Sequence, residues 1–170
     1  KSKVAFSSAE TYIPERSFVK RNSQLDNRII TFLISSFVLF QLLIPLRYLY
    51  YPGNLFWTEE GYRFSWRVML MEKAGTATFY VKDLDTGREG IVENREFLNS
   101  HQEKQMAFQP DMILQFAHFL GKHYQQSGKD IPEVHVEAWV TLNARPSQLI
   151  IDPKINLMEV QDSWKQKNWI

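Results

Sequence analysis

Hydrophobic spacing divides the chain into a long apolar run followed by segments of period two and one of period 3.6. From Ile29 to Leu46 no charged residue occurs, and the run IITFLISSFVLFQLLIPL approaches the ~20 apolar residues an α-helix needs to cross a bilayer. Ser35, Ser36 and Gln41 sit inside it, groups that hydrogen-bond between neighbouring membrane helices. A buried core helix of a soluble domain is the alternative; the charge-free length and the flanking Arg28 and Arg47 favour the membrane. Pro45 is placed to bend or end the helix. Tyr48, Tyr50 and Tyr51 then form an interfacial belt, and Pro52-Gly53 turns the chain away.

Past that break the period becomes two. Phe64, Trp66, Val68 and Leu70 would share one side of a strand, with Arg63, Ser65, Arg67, Met69 and Met71 on the other. A second strand is predicted over Thr76 to Lys82. The Asp- and Gly-bearing turn Asp83 to Gly87 returns it through Arg88 to Glu93 as a β-hairpin. Asn94 to Gln109 is polar and has no clear period, with room for a short helix near Arg95 to Asn99. Pro110 suits a first helical position and Asp111 the positive end of the helix dipole. Ile113, Phe116, Ala117, Leu120 and Tyr124 then recur at helical spacing up to a stop at Ser127-Gly128. From Glu133 to Asn143 the chain alternates again, Val134, Val136, Ala138, Val140 and Leu142 against His135, Glu137, Trp139 and Thr141. Arg145-Pro146-Ser147 breaks it, Gln148 to Ile151 is a short strand, and Asp152-Pro153 ends that. The tail is irregular, with Trp164 and Trp169 as docking residues. This succession predicts an α+β fold: one transmembrane helix, then a mostly antiparallel sheet with an amphipathic helix packed on one face.

Composition narrows the chemistry. At 170 residues and a net charge of +1 the chain holds one domain with a real core, and it has no basic stripe for nucleic acid. Without cysteine it can form neither a disulfide framework nor a thiolate site. His101, His118, His123 and His135 form no ligand pair at a familiar metal spacing, so no metal is expected. The adjacent Glu59 and Glu60 would point apart in an extended chain, and Ser65 lacks a nucleophile elbow. Gly75, Gly87 and Gly90 are too scattered for a phosphate loop. Residue chemistry alone therefore supplies no self-contained active site. Lys1, Lys3, Arg16, Lys20, Arg21 and Arg28 outnumber the acids ahead of the apolar run, which sets that side in the cytoplasm. The expected organisation is a cytoplasmic-side loop over 1–28, a transmembrane helix over 29–51 and an extracytoplasmic domain over 52–170. With no initiating Met and no signal-peptide pattern, the chain reads as a piece of a longer protein.

The motifs Leu43-Ile44-Pro45, Pro52-Gly53-Asn54, Trp57-Thr58-Glu59, Phe64-Ser65-Trp66-Arg67-Val68-Met69 and Ile151-Asp152-Pro153 follow one another in an order that resembles the vitamin K-dependent gamma-glutamyl carboxylase family, over roughly Leu39 to Trp169. The resemblance implies an integral membrane enzyme of which this chain is the last membrane helix and the carboxy-terminal, extracytoplasmic half. It implies addition of CO2 to glutamate side chains of a protein or peptide substrate, driven by oxygenation of vitamin K hydroquinone, a reduced menaquinone-type molecule, with O2. The implied partners are the remaining transmembrane helices of the parent chain, which hold the family's catalytic lysine, together with membrane lipid. The residues that match the family's glutamate-handling segment are Trp57, Tyr62, Ser65, Trp66 and Met69, and no catalytic residue falls within the chain. Two positions depart from the animal enzymes: Arg67 stands where an acidic residue follows the Trp, and Met71 where a His stands. Arg67 remains suited to gripping a substrate carboxylate through its planar fork. A different reading stays open, a membrane-tethered extracytoplasmic domain that binds a peptide along an exposed strand edge without catalysis.

Overall fold

The structure, a computed structural model, describes residues 23–67, 71–125 and 130–170, with side chains from Asn27 onward. The chain divides into two units at Phe40/Gln41. In the first lies most of helix α1 (Ser23–Leu43), whose Phe32, Leu33 and Phe37 are all exposed. The stretch from Asn27 to Tyr50 is long and apolar enough to cross a membrane. The helix begins before the expected Ile29, because polar residues such as Asp26 and Arg28 oppose membrane burial but not helical backbone. Its α-helical part ends at Leu43, and Ile44–Tyr50 continues as a 3-10 segment with Pro45 in its first turn. Pro45 has no N–H to give to a carbonyl four residues back, which accounts for the change of pitch.

The second unit is an antiparallel sheet covered by helices. β1 (Lys73–Lys82) pairs with β2 (Glu89–Ile91) and along its whole length with β3 (Glu133–Leu142), and β4 (Gln148–Leu149) closes the order β2-β1-β3-β4. The expected alternation in β3 is realised: Val134, Val136, Ala138, Val140 and Leu142 are all buried. Helix α4 (Pro110–Tyr124) lays Ile113, Phe116, Ala117 and Leu120 on that face, where Phe116 meets Phe79 of β1 edge-on at 5.0 Å. Ile113, Phe116 and Leu120 each contribute about 1.5–3 kcal/mol by leaving water. A cross-strand pair, Lys82 Nζ to Glu133 Oε2 at 2.8 Å, closes the far end of the β1–β3 ladder. Its hydrogen bond holds the Glu133 carboxyl below, and the Lys82 ammonium above, their ordinary ranges.

Three expectations need correction. The strand expected through Phe64 to Leu70 is absent over its described part: residues 61–66 are a run of turns, and Val68, Met69 and Leu70 lie outside the described residues. The backbone departs from strand geometry there, since Phe64 within the expected strand and Gly61 just ahead of it have φ of 63° and 73°, outside the extended region. Phe64 and Trp66 are accordingly 78% and 68% exposed and do not form a buried face. Second, the segment without clear period contains a 3-10 turn at Asn94–Glu96 and helix α3 (Ser100–Met106). The helix is started by a capping box in which Asn99 Oδ1 accepts from Gln102 N at 2.9 Å and Gln102 Oε1 accepts from Asn99 N at 3.0 Å. Third, the tail is not wholly irregular, because Leu157–Glu159 forms a 3-10 turn that seats buried Leu157 under α4. The stop expected at Ser127-Gly128 lies outside the described residues.

Candidate functional site

The ribbon from Tyr48 to Arg67 is built from short hydrogen-bonded turns. Asn54 Oδ1 accepts from Phe56 N at 3.0 Å and opens the single-turn helix α2 (Leu55–Thr58). Glu59 ends it in the left-handed region. The next residue but one, Gly61, packs against backbone: a Cβ there would stand 2.7 Å from Tyr48 Cα, so only glycine satisfies both the space and the positive φ. Ser65 N and Oγ both donate to Tyr62 O, at 3.0 and 2.6 Å.

Polar pins attach this ribbon to the sheet, to α4 and to the tail. Lys73, with its side chain 1% exposed, donates from Nζ to Trp57 O at 3.1 Å and to Glu59 Oε1 at 2.7 Å. Burial pushes the Lys73 ammonium below its ordinary pKa, and the Glu59 carboxylate opposes that shift. Glu60 is buried and its Oε1 accepts from Lys167 N at 2.6 Å. Arg63 Nη2 is 2.6 Å from Asp111 Oδ2. The adjacent glutamates thus face different partners, one toward the strand and one toward the tail, and do not form an acid–base pair.

The sequence-predicted site residues are spread over different surroundings. Trp57 packs against the hydrophobic core. Tyr62 is partly buried, its ring edge-on to Phe56 at 6.4 Å, and Ser65 spends its hydroxyl on Tyr62 O. Trp66 is exposed; Met69 lies outside the described residues. Arg67 lays its guanidinium over the Tyr48 ring at 4.4 Å and near that of Phe56 at 5.8 Å. It lines a groove of about 270 Å3 with Tyr48, Thr58 and Glu60, and among the described residues no carboxylate pairs with it. A neighbouring groove of about 340 Å3, lined by Glu59, Glu60, Arg63, Phe64, Asp111 and Lys165 among others, is mixed in charge. The two arginines therefore differ: Arg63 pairs with Asp111, while among the described residues Arg67 rests on rings and has no carboxylate partner.

Sequence reasoning missed Lys73, Arg63 and Glu60 as organisers. Lys73 carried a signal, because it shares the inward parity of Ala77 and Phe79, and an inward-facing lysine requires a partner. No pattern announced the long-range pairs of Arg63 and Glu60. Two of the histidines are structural in their settings: His118 Nε2 lies 3.0 Å from Leu157 O, and His123 sits among Phe97, Phe119 and Tyr124. Among the described residues no group of His, Asp and Glu side chains is arranged to hold a metal ion.

Residues 26–170 match the family described as vitamin K-dependent gamma-carboxylase, lumenal domain. No solved structure matches the chain significantly. The family match and the apolar helix together point to a membrane protein with a lumenal domain. With the match covering nearly the whole sequence, the chain belongs to the vitamin K-dependent gamma-carboxylase family and carries its lumenal domain.

Proposed function

We propose that this chain is the lumenal part of an integral membrane gamma-carboxylase and supplies the glutamate-substrate side of its site, with Ile29–Leu46 crossing the bilayer. The observation that carries the proposal is Arg67. Its guanidinium lies on Tyr48, in the 3-10 segment that closes the apolar span, and no carboxylate neutralises it among the described residues. A planar guanidinium with free N–H groups is the donor set that accepts a carboxylate bidentately. The rings of Tyr48 and Phe56 back it on one side; the rest of the enclosure that a carbanion at the glutamate γ-carbon requires would come from the other membrane helices. Trp66, exposed beside it, extends the apolar rim for a peptide.

The hydroquinone is a poor fit to the same residues. A naphthoquinol with a prenyl tail needs an enclosed, mostly apolar chamber, whereas the grooves beside the ribbon are open and carry Glu59, Glu60, Arg63 and Lys165. In this reading vitamin K hydroquinone, O2, CO2 and the proton-abstracting lysine are handled by the other membrane helices of the parent protein. This chain holds and orients the glutamate side chain.

The test expresses the full-length parent in membranes with reduced vitamin K and a glutamate-containing peptide, following epoxide and labelled CO2 separately. Both products are expected, and Arg67→Ala should raise the peptide concentration needed for half-maximal CO2 incorporation about tenfold or more, the equivalent of one lost charge-assisted contact at about 1.4 kcal/mol. Epoxide without carboxylated peptide would restrict the protein to quinol oxidation. The non-catalytic alternative draws on the exposed edge strand β2, where Ile91 is 72% exposed. Peptide binding with neither product would select it.

A further inference from the structure

We infer that Arg47 and Trp164 form a phospholipid-headgroup site at the closing turn of the apolar span. The inference rests on the membrane-crossing reading above and concerns residues that the proposed glutamate site does not use. Trp164 belongs to the tail, far along the chain from Arg47, yet the two are joined. Tyr51 Oη donates to Trp164 O at 2.8 Å, and the Arg47 guanidinium lies over the Trp164 ring at 4.9 Å. Trp164 as a whole nevertheless remains 80% exposed, and its neighbour Tyr50 is 88% exposed. Tyr50 is the last residue of the stretch able to cross a membrane. Aromatic side chains with one polar and one apolar edge, displayed at that level, have the chemistry of the lipid–water boundary.

Arg47 supplies the second half of the argument. A basic residue in a last helical turn ordinarily answers the helix's own free carbonyls. Here Nη2 instead donates across to Arg63 O at 3.2 Å, and Nε is buried with no hydrogen-bond partner. Nearby cations are already neutralised, Arg63 by Asp111 and Lys167 by Asp162, but no carboxylate lies within ion-pair distance of Arg47 among the described residues. A cavity of about 420 Å3 opens between Arg47, Tyr50, Tyr51, Trp164 and Gln166. A phosphodiester in it would bring oxygens to the guanidinium while its acyl chains follow the exposed Leu49 and Tyr50. Inorganic phosphate would satisfy the charge alone and leave both aromatic faces in water.

The test uses the full-length parent reconstituted into vesicles of phosphatidylcholine and phosphatidylglycerol whose acyl chains are brominated either near the headgroup or near the chain end. Trp164→Phe should remove a component of tryptophan emission quenched by the shallow bromines and leave deep quenching unchanged. Arg47→Gln should lower the phosphatidylglycerol retained through detergent extraction, read by native mass spectrometry, by about one molecule, as the loss of one phosphate-binding charge predicts. Lys154→Gln, on another face, should retain the wild-type number. If Arg47→Gln loses thermal stability, Arg47→Lys serves in its place, since it keeps the charge without the planar fork, and it should retain an intermediate amount. A Trp164 component indifferent to shallow bromines in protein that resists carbonate extraction would overturn the site alone. If that component is also shielded from acrylamide, a protein surface covers the ring in place of lipid. Release by carbonate would remove the membrane-crossing reading, and this inference with it.

Discussion

The sheet-and-helix layer and the ribbon that leads into it are held together by different physics. In the layer, Phe79, Val136, Leu120 and Leu157 are fully buried within one core cluster, and stability comes from many close-packed apolar contacts. The ribbon instead depends on a few polar pins, Lys73 on Trp57 and Glu59, Glu60 on the Lys167 N–H, and Arg63 on Asp111, while Phe64 and Trp66 stay in solvent. A region that presents reactive or binding groups at a surface gives up apolar burial, so its geometry rests on directional bonds that a single substitution can remove.

The largest effect should follow from the layer. Phe79→Ala is expected to cost about 3–5 kcal/mol and to lower the denaturation midpoint of the whole lumenal unit. If it unfolded only the ribbon, the division between the two regions would be wrong. Lys73→Met strands the Glu59 carboxylate and should cost about 3 kcal/mol, and adding Glu59→Leu should recover part of that loss in a double-mutant cycle. The same lysine sets a pH signature. Its folded pKa is below the ordinary 10.5, so across the window between those values the unfolded chain holds more protons, and stability rises with pH there. Denaturation curves of Lys73→Met should lack that rise. Gly61→Ala forces a Cβ into the Tyr48 backbone at an unfavourable φ and should cost about 2 kcal/mol. Its expected signature is faster proteolysis between Tyr48 and Arg67, with the sheet's amide protection unchanged. Arg63→Ala removes a half-exposed ion pair and should shift stability by at most about 1 kcal/mol. A larger shift would make Arg63 a pin of the same rank as Lys73.

The same division explains what could be read from sequence. Val134 to Leu142 and Pro110 to Tyr124 declared themselves because burial on one face imposes a period: β3 stands within a residue of its expected bounds, and α4 starts at the expected Pro110. The ribbon has no such face. Arg63 to Arg67 alternates in composition only, and positive φ at Gly61 and Phe64, set by tertiary contact with Tyr48 and by the turns around Tyr62, overrides the pattern. Helix α3 was legible in Asn99 and Gln102, whose spacing marks a helix start even where apolar periodicity is missing. Placing the start of β1 at Thr76 hid Lys73, and with it the pair that ties the candidate site to the sheet. The pairing of Arg47 with Trp164 joins segments too far apart in sequence for any local pattern to disclose it.

The ten-rung ladder between β1 and β3 also fixes an order of events during synthesis. Lys73 meets Leu142 and Lys82 meets Glu133, so until the ribosome has delivered Glu133 the strand partner available to β1 among the described residues is the three-residue β2. Two-stranded hairpins of that size do not persist in water, and closing so wide a loop is a slow step. The nascent chain must therefore carry an unmated strand past α4, and Lys73 cannot become buried beside Glu59 until the later strand has arrived.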